Sequence, residues 1–282
     1  MNAILFPGQG SQIVGMGLEF YNNFKIVKQI FQEADEKLNF KISKIILEGP
    51  EDELKLTQNT QPAILTVSFS IFSVLKNEFN FNFEPTKYFA GHSLGEYSAL
   101  VASGSLSFAD AVFLLFERGK SMQEAVPVGR GKMIAILGSQ IDEINNSIKK
   151  VEVEGVCEIA NDNAEGQIIV SGDIKKIDAL QEILKSEKKK IIPLKVSAPF
   201  HCSLMNSAAA KMKDKINSVN FSKPNFDIVC NVTAAPENNP EIFKDLLVKQ
   251  IYSTVRWRES IIHMSKEKVT DFIEIGPGKV LS

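Results

Sequence analysis

The chain has 282 residues, 44% of them hydrophobic and 23% charged, with a formal net charge of -2. That is the make-up of a globular protein with one large domain, or a large domain carrying a small one, and it gives no global electrostatic support for binding nucleic acid. The three cysteines, Cys157, Cys202 and Cys230, are odd in number and lack a C-x-x-C pair, so neither a disulfide framework nor a zinc or other metal site is expected.

The N-terminal Met1-Asn2-Ala3-Ile4-Leu5-Phe6-Pro7 has no basic stretch of the signal-peptide kind. No apolar run is long enough to span a bilayer. A cytoplasmic protein without membrane association is the expectation, and a reducing compartment suits the cysteines. Residues 3–6 read as a short buried strand stopped by Pro7-Gly8. The glycines of Gly8-Gln9-Gly10-Ser11-Gln12 let a backbone approach a partner closely, but the Lys-Ser/Thr of a phosphate loop is missing. From Phe20 onward, Phe24, Val27, Phe31, Ala34 and Leu38 recur at helical spacing. Pro62 suits a first helical turn, and Leu65, Phe69, Phe72, Leu75 and Phe79 continue a second amphipathic helix.

Lys87-Tyr88-Phe89-Ala90 reads as a buried strand. Gly91-His92-Ser93-Leu94-Gly95 follows, and residues 96–103 then lack Gly and Pro, as a helix would. A G-x-S-x-G between strand and helix is the pattern of a nucleophile elbow, a sharp turn that lifts a serine hydroxyl clear of the sheet. The turn crowds its own backbone, so Gly91 and Gly95 supply the positions without Cβ. Residues 108–122 form a further apolar helix carrying Arg118; by position alone this is a surface arginine near a helix end.

Over 132–196 the order changes to strand (133–137), helix (141–149), strand (156–160), strand (167–170), helix (174–185), strand (190–196). This β-α-β-β-α-β order is that of the ferredoxin-like unit. The expected fold class is α/β: a large α/β-hydrolase-like domain with a mostly parallel sheet, residues 1–126 and 197–282, and an inserted ferredoxin-like domain, residues 127–196. Lys188-Lys189-Lys190 solvates a turn. After the insert come a helix with the stripe Met205, Ala208, Met212 and Ile216, a strand (227–232), short helices (245–252 and 259–266) and a last strand (272–275).

A serine nucleophile needs a base, usually histidine. The chain has three histidines. His92 adjoins Ser93 in the elbow, and its side chain leaves on the opposite side. His263 sits on a short amphipathic helix among Glu259, Lys266 and Glu267 and is expected to face solvent. His201 remains. Pro199 forces Ala198 into an extended conformation, so the helix is expected to start around His201, which then faces inward one turn before Met205. A helix N-terminus would help keep the imidazole neutral. No acidic third member is singled out, since most acidic residues between Ser93 and His201 fall in the insert.

The motifs Phe6-Pro7-Gly8-Gln9-Gly10-Ser11-Gln12, Thr60-Gln61-Pro62-Ala63, Gly91-His92-Ser93-Leu94-Gly95-Glu96-Tyr97, Arg118-Gly119-Lys120-Ser121-Met122-Gln123, Glu124-Ala125-Val126-Pro127, Asn161-Asp162-Asn163, Ser197-Ala198-Pro199-Phe200-His201 and Glu274-Ile275-Gly276-Pro277-Gly278 occur in this order along nearly the whole chain. Singly each is weak; together the sequence resembles the malonyl-coenzyme A:acyl carrier protein transacylases of bacterial fatty acid synthesis. The resemblance implies acyl transfer by a Ser93–His201 pair, with the Gln250 carbonyl orienting His201 and the Gln9 and Leu94 amides as oxyanion hole. It implies Arg118 as the partner of the malonyl carboxylate, with Gln61, His92, Asn163 and Phe200 completing substrate binding.

Malonyl-CoA is then the substrate, CoA the product and phosphopantetheinylated acyl carrier protein the acceptor. No bound cofactor is implied, and a monomer is expected. Carrier proteins are acidic, so basic clusters at Lys211, Lys213 and Lys215, or at Arg256 and Arg258, are candidate docking faces. Members of that group continue beyond Gly-Pro-Gly into a terminal helix, whereas this sequence ends at Val280-Leu281-Ser282. A serine esterase or thioesterase uses the same elbow and histidine, and a non-catalytic carrier-binding relative is a further alternative.

Overall fold

A computed structural model describes residues 1–194 and 196–282. Strand β1 (Asn2–Phe6) leads into helices α1 (Leu18–Asn23), α2 (Lys25–Leu38), α3 (Ile42–Glu48), α4 (Glu51–Lys55) and the long α5 (Thr57–Asn77). Strand β2 (Thr86–Gly91) is followed by α6 (Gly95–Ala102) and α7 (Phe108–Glu124). Then come β3 (Gly131–Leu137), α8 (Ile141–Lys149), β4 (Cys157–Ala164), β5 (Gln167–Asp173), α9 (Ile174–Ser186) and β6 (Lys190–Pro193). The chain closes with a 3-10 turn (Ser203–Met205), α10 (Asn206–Asn217), β7 (Asp227–Cys230), β8 (Ala235–Glu237), α11 (Pro240–Gln250), α12 (Trp257–Lys266) and β9 (Asp271–Glu274).

The larger sheet has the order β8-β7-β2-β1-β9, parallel except for the edge strand β8. Its central strands are apolar throughout because helices cover both faces. The period of two sorts β1 cleanly. Ile4 and Phe6 join the core shared with α2, α5, α6 and α7, while Ala3 and Leu5 join a smaller cluster under α12 with Trp257 and Met264. Phe6, Phe72 and Phe89 meet edge-on inside the main core, an arrangement aromatic quadrupoles favour.

The smaller sheet, order β4-β5-β3-β6, is antiparallel throughout, as the ferredoxin-like reading requires. The same alternation builds it. Ile134 and Ile136 pack with Ile144, Ile177 and Leu180 of α8 and α9, and Met133 and Ala135 face the main core. Strand β4 is tied to the α11–α12 connection: Val255 donates to the Ala160 carbonyl at 2.9 Å and accepts from the Asp162 amide at 3.0 Å. Arg258 adds an ion pair to Asp162 at 2.8 Å.

Several expectations are corrected. Helix α5 starts at Thr57, so Pro62 lies inside it rather than in its first turn. The extra turn is held by side chains bonding back to the preceding segment: Thr60 Oγ1 donates to the Leu54 carbonyl at 2.5 Å and Asn59 Nδ2 to the Glu53 carbonyl at 2.9 Å. The loop after Pro199 delays its helix: His201 has a left-handed φ of 56°, and α10 begins only at Asn206. Helix α11 starts at Pro240, capped by the Asn239 side chain, an Asn-Pro signal the apolar pattern alone passes over. The strand expected over 190–196 is seen over Lys190–Pro193, and Lys195 lies outside the described residues.

Candidate active site

The elbow joins β2 to α6. Ser93 has a left-handed φ of 54°, a conformation costing about 1–2 kcal/mol for a residue with a Cβ. The flanking glycines make the turn possible. A Cβ on Gly91 would stand 1.9 Å from the Gly95 carbonyl, and one on Gly95 would stand 2.3 Å from the Phe6 carbonyl oxygen. Asn231, just past the end of β7, clasps the turn. Its Oδ1 accepts from the Ser93 amide at 2.7 Å, and its Nδ2 donates to the Gly91 carbonyl at 2.7 Å.

His201 Nε2 lies 2.8 Å from Ser93 Oγ, and Nδ1 lies 2.9 Å from the Gln250 carbonyl oxygen. A carbonyl can only accept, so the Nδ1 proton is fixed there and Nε2 offers its lone pair to the serine hydroxyl. The imidazole is buried. Burial first, and the Arg118 guanidinium second, pull its pKa down to about 3, so it is neutral at physiological pH. The cause is therefore not the N-terminus of α10, which lies five residues further on.

Arg118 is 1% exposed, which corrects the surface reading. Nη1 donates to Gln61 Oε1 at 2.7 Å, and Nη2 donates to Gln250 Oε1 at 2.9 Å and to Ser93 Oγ at 3.1 Å. Nε has no hydrogen-bond partner among the described residues. A buried guanidinium with an unpaired donor, held by neutral amides beside the nucleophile, is a ready partner for an anion.

Ser93, His201, Arg118, Gln61, His92, Asn163, Phe200, Gln9 and Leu94 all line one cavity of about 440 Å³ between the elbow and the small sheet. Among the described residues, the backbone amides of Gln9 and Leu94 have no hydrogen-bond partner. His92 turns away from Ser93, as its place in the elbow suggests. Its Nε2 pairs with Asn163 Oδ1 at 2.9 Å, and its ring meets Trp257 edge-on. Gln250 is the one expected site residue outside the cavity lining; it acts from behind His201. Among the described residues, no group of three or more His, Cys, Asp or Glu is placed to hold a metal ion.

His263 is half-buried against Tyr88 rather than solvent-exposed, its Nε2 enclosed; α12 rolls that face onto β2. The basic clusters are largely consumed internally. Lys211 pairs with Glu124, Lys215 with Glu117, Arg256 with Glu259 and Arg258 with Asp162.

Two polar residues carry the site without having been singled out for a role: Asn231 and Glu96. Asn231 follows the carboxyl end of a strand beside the elbow strand, the edge where α/β sheets gather their functional groups. That topological rule is the signal that finds it.

Comparison with known proteins agrees with this geometry. The acyl transferase domain family matches residues 4–282. The malonyl CoA-acyl carrier protein transacylase of Bacillus subtilis (strain 168) is 46% identical over 282 residues, covering 99% of this chain and 88% of that protein. The crystal structure of the acyl-carrier-protein S-malonyltransferase from Bartonella henselae superposes with a TM-score of 0.96 at 44% identity, covering 99% of this chain and 90% of the other. A type II PKS acyl-carrier protein in complex with its malonyl-transacylase gives a TM-score of 0.95 at 38% identity, with 99% and 90% covered. The chain therefore belongs to the acyl transferase domain family, among the malonyl CoA-acyl carrier protein transacylases.

Proposed function

We propose that this protein moves a malonyl group from malonyl-CoA to the phosphopantetheine thiol of acyl carrier protein through a malonyl ester on Ser93, supplying fatty acid synthesis. The observation that carries the reading is the three-way contact at Ser93 Oγ: His201 Nε2 at 2.8 Å and the buried Arg118 Nη2 at 3.1 Å. His201 takes the serine proton as Oγ attacks the thioester carbonyl. The unpaired Gln9 and Leu94 amides meet the oxyanion. The C–S bond breaks, and His201 returns the proton to the CoA sulfur. The carrier thiol, deprotonated by His201, then attacks the serine ester by the same route and restores the hydroxyl. The guanidinium holds the malonyl carboxylate, beside Gln61, His92, Asn163 and Phe200. Three buried free cysteines suit a reducing cytoplasm, and we take the working unit to be the monomer.

An esterase or thioesterase would use the same serine and histidine. The buried Arg118 favours an acyl group that ends in a carboxylate. A charge-assisted contact of this kind contributes about 1.5–3 kcal/mol, roughly ten- to a hundredfold in kcat/KM. Arg118→Ala should lose malonyl transfer by about that factor while acetyl transfer holds or rises. Arg118→Lys should recover little, because an ammonium cannot make two parallel bonds. The check is kcat/KM for malonyl-CoA and acetyl-CoA on each variant; an equal fall for both thioesters would make Arg118 a scaffold residue only.

A further inference from the structure

Glu96, in the first turn of α6, is 1% exposed and takes no part in the proton transfers above. Its Oε2 accepts from the Asn231 amide at 2.9 Å and from Gln250 Nε2 at 2.8 Å. Those two neighbours hold opposite halves of the reacting pair. Asn231 fixes the Ser93 amide, and the Gln250 carbonyl fixes His201 Nδ1.

Gln250 spans a cation and an anion. Its Oε1 faces the Arg118 guanidinium and its Nε2 faces Glu96. A carboxylate only accepts and a guanidinium only donates, so the amide can lie one way round. Turned over, it would set its NH₂ against Arg118 and its oxygen against Glu96. The Ser93 carbonyl also accepts from Gln250 Nε2, at 3.0 Å; with a neutral glutamine at position 96 the orientation would rest on that bond and on Arg118 alone, without a charged acceptor behind them. A buried carboxylate is costly compared with such an isostere; what its charge supplies is a stronger acceptor for the Asn231 and Gln250 donors.

We propose that Glu96 is a positioning residue whose carboxylate locks Gln250 and Asn231, and thereby fixes at once the carbonyl that orients His201 and the turn that presents Ser93. The consequence for catalysis rests on the Ser93–His201 reading; the lock itself does not.

The charged and titratable groups facing Glu96 are Arg118 from α7, Cys230 from β7 and Tyr97 beside it on α6. Burial raises the Glu96 pKa to about 7 against the opposing pull of Asn231, Gln250, Cys230 and Arg118. Cys230 is held well above its ordinary value and Tyr97 is pushed up to about 12, both chiefly by burial, so they stay neutral across this range. The guanidinium stays charged. Glu96 is thus the member of this group that changes state near neutrality, and its protonation weakens the lock by replacing a charged acceptor with a neutral carbonyl oxygen.

Three measurements on the full chain test the lock. Glu96→Gln should lower kcat for malonyl transfer by about ten- to a hundredfold, the effect of a small misplacement of reacting groups, with KM near wild type. Wild-type kcat/KM should fall below pH about 7; Glu96→Gln should lack this limb, and Glu96→Asp should keep it and recover part of the rate. A limb that survives in Glu96→Gln belongs to another group and overturns the proposal. The folded-state pKa is raised, so the stability it contributes is full below the ordinary carboxylate value and is lost as pH rises through about 7. Glu96→Gln should therefore gain in Tm on the wild type at pH values above that point relative to values below it; a mere scaffold role predicts a loss at both.

The third measurement needs no variant and no activity. In wild-type protein with labelled histidine, the His201 Nδ1–H resonance should move as pH passes through about 7 although the imidazole itself stays neutral. A resonance blind to pH across this range would overturn the lock while leaving the serine chemistry standing. Serine acylation that fails while the resonance still moves would sink the catalytic reading instead.

Discussion

At the residue scale, each reacting group is defined by what its neighbours can accept or donate. The Gln250 carbonyl cannot donate, so His201 must present a lone pair to Ser93. His201→Ala should cut the acylation rate on the order of 10⁴-fold or more, as loss of a paired base does. His263→Ala should leave the rate near wild type and lower Tm, since that ring packs on Tyr88. Rates of acylation and melting curves on both variants check this, and the reverse pattern would mean that the wrong histidine has been assigned. The serine and its base were legible because few residue types can do this work and the chain holds only three histidines. Gln250 was not legible from chemistry, because its main-chain carbonyl is a group every residue has; only the resemblance pointed to it. Arg118 could have been found: it falls on the buried stripe of α7 with Leu114, Leu115 and Met122, and an arginine on an apolar stripe is rarely idle. Glu96 sat in plain view in the elbow motif, but its burial and double acceptance exist only in the folded chain.

At the scale of elements, α5 and α7 bring Gln61 and Arg118 together by packing closely at Gly119. A Cβ there would stand 2.5 Å from the Thr57 carbonyl oxygen and 2.6 Å from the Gln58 Cα. Alanine is the better helix former by about 1 kcal/mol, but overpacking against backbone costs about 1–3 kcal/mol. The clash should win: Gly119→Ala is expected to lower Tm by a few degrees, as about 1 kcal/mol does in chains of this size, and to raise KM for malonyl-CoA by moving Arg118. A Tm above wild type in thermal melts would show that the helices part without cost. Long amphipathic helices such as α2 and α7 were readable because two or more turns repeat the pattern. Helices α1, α3 and α4 have six, seven and five residues, too few for a period of 3.6 to declare itself. The start of α5 was missed because it depends on Thr60 and Asn59 bonding to carbonyls of another segment, which no local pattern encodes.

At the scale of the molecule, the site is a seam. The elbow, Arg118 and His201 come from the body built on the parallel sheet, and Met133, Ala135, Asn161, Asn163 and Ile169 of the small sheet close the other wall. Backbone bonds at Val255 and the Asp162–Arg258 pair tie the small sheet to the α11–α12 segment of that body. The alternation of strands and helices made both sheets legible; that they meet at Ser93 was not, because it depends on where the insert folds back. The four ion pairs at Lys211, Lys215, Arg256 and Arg258 offset much of the expected basic surface with carboxylates of the same chain. The central claim is a malonyl ester on Ser93 that passes to a carrier thiol. Its most direct test is intact-mass and peptide analysis after exposure to equal amounts of malonyl-CoA and acetyl-CoA, before and after adding holo acyl carrier protein. The predicted result is a malonyl adduct on the peptide containing Ser93, absent from Ser93→Ala, that leaves the enzyme and appears on the carrier. A malonyl adduct that persists in Ser93→Ala, an acetyl adduct in its place, or hydrolysis without transfer to the carrier would contradict it.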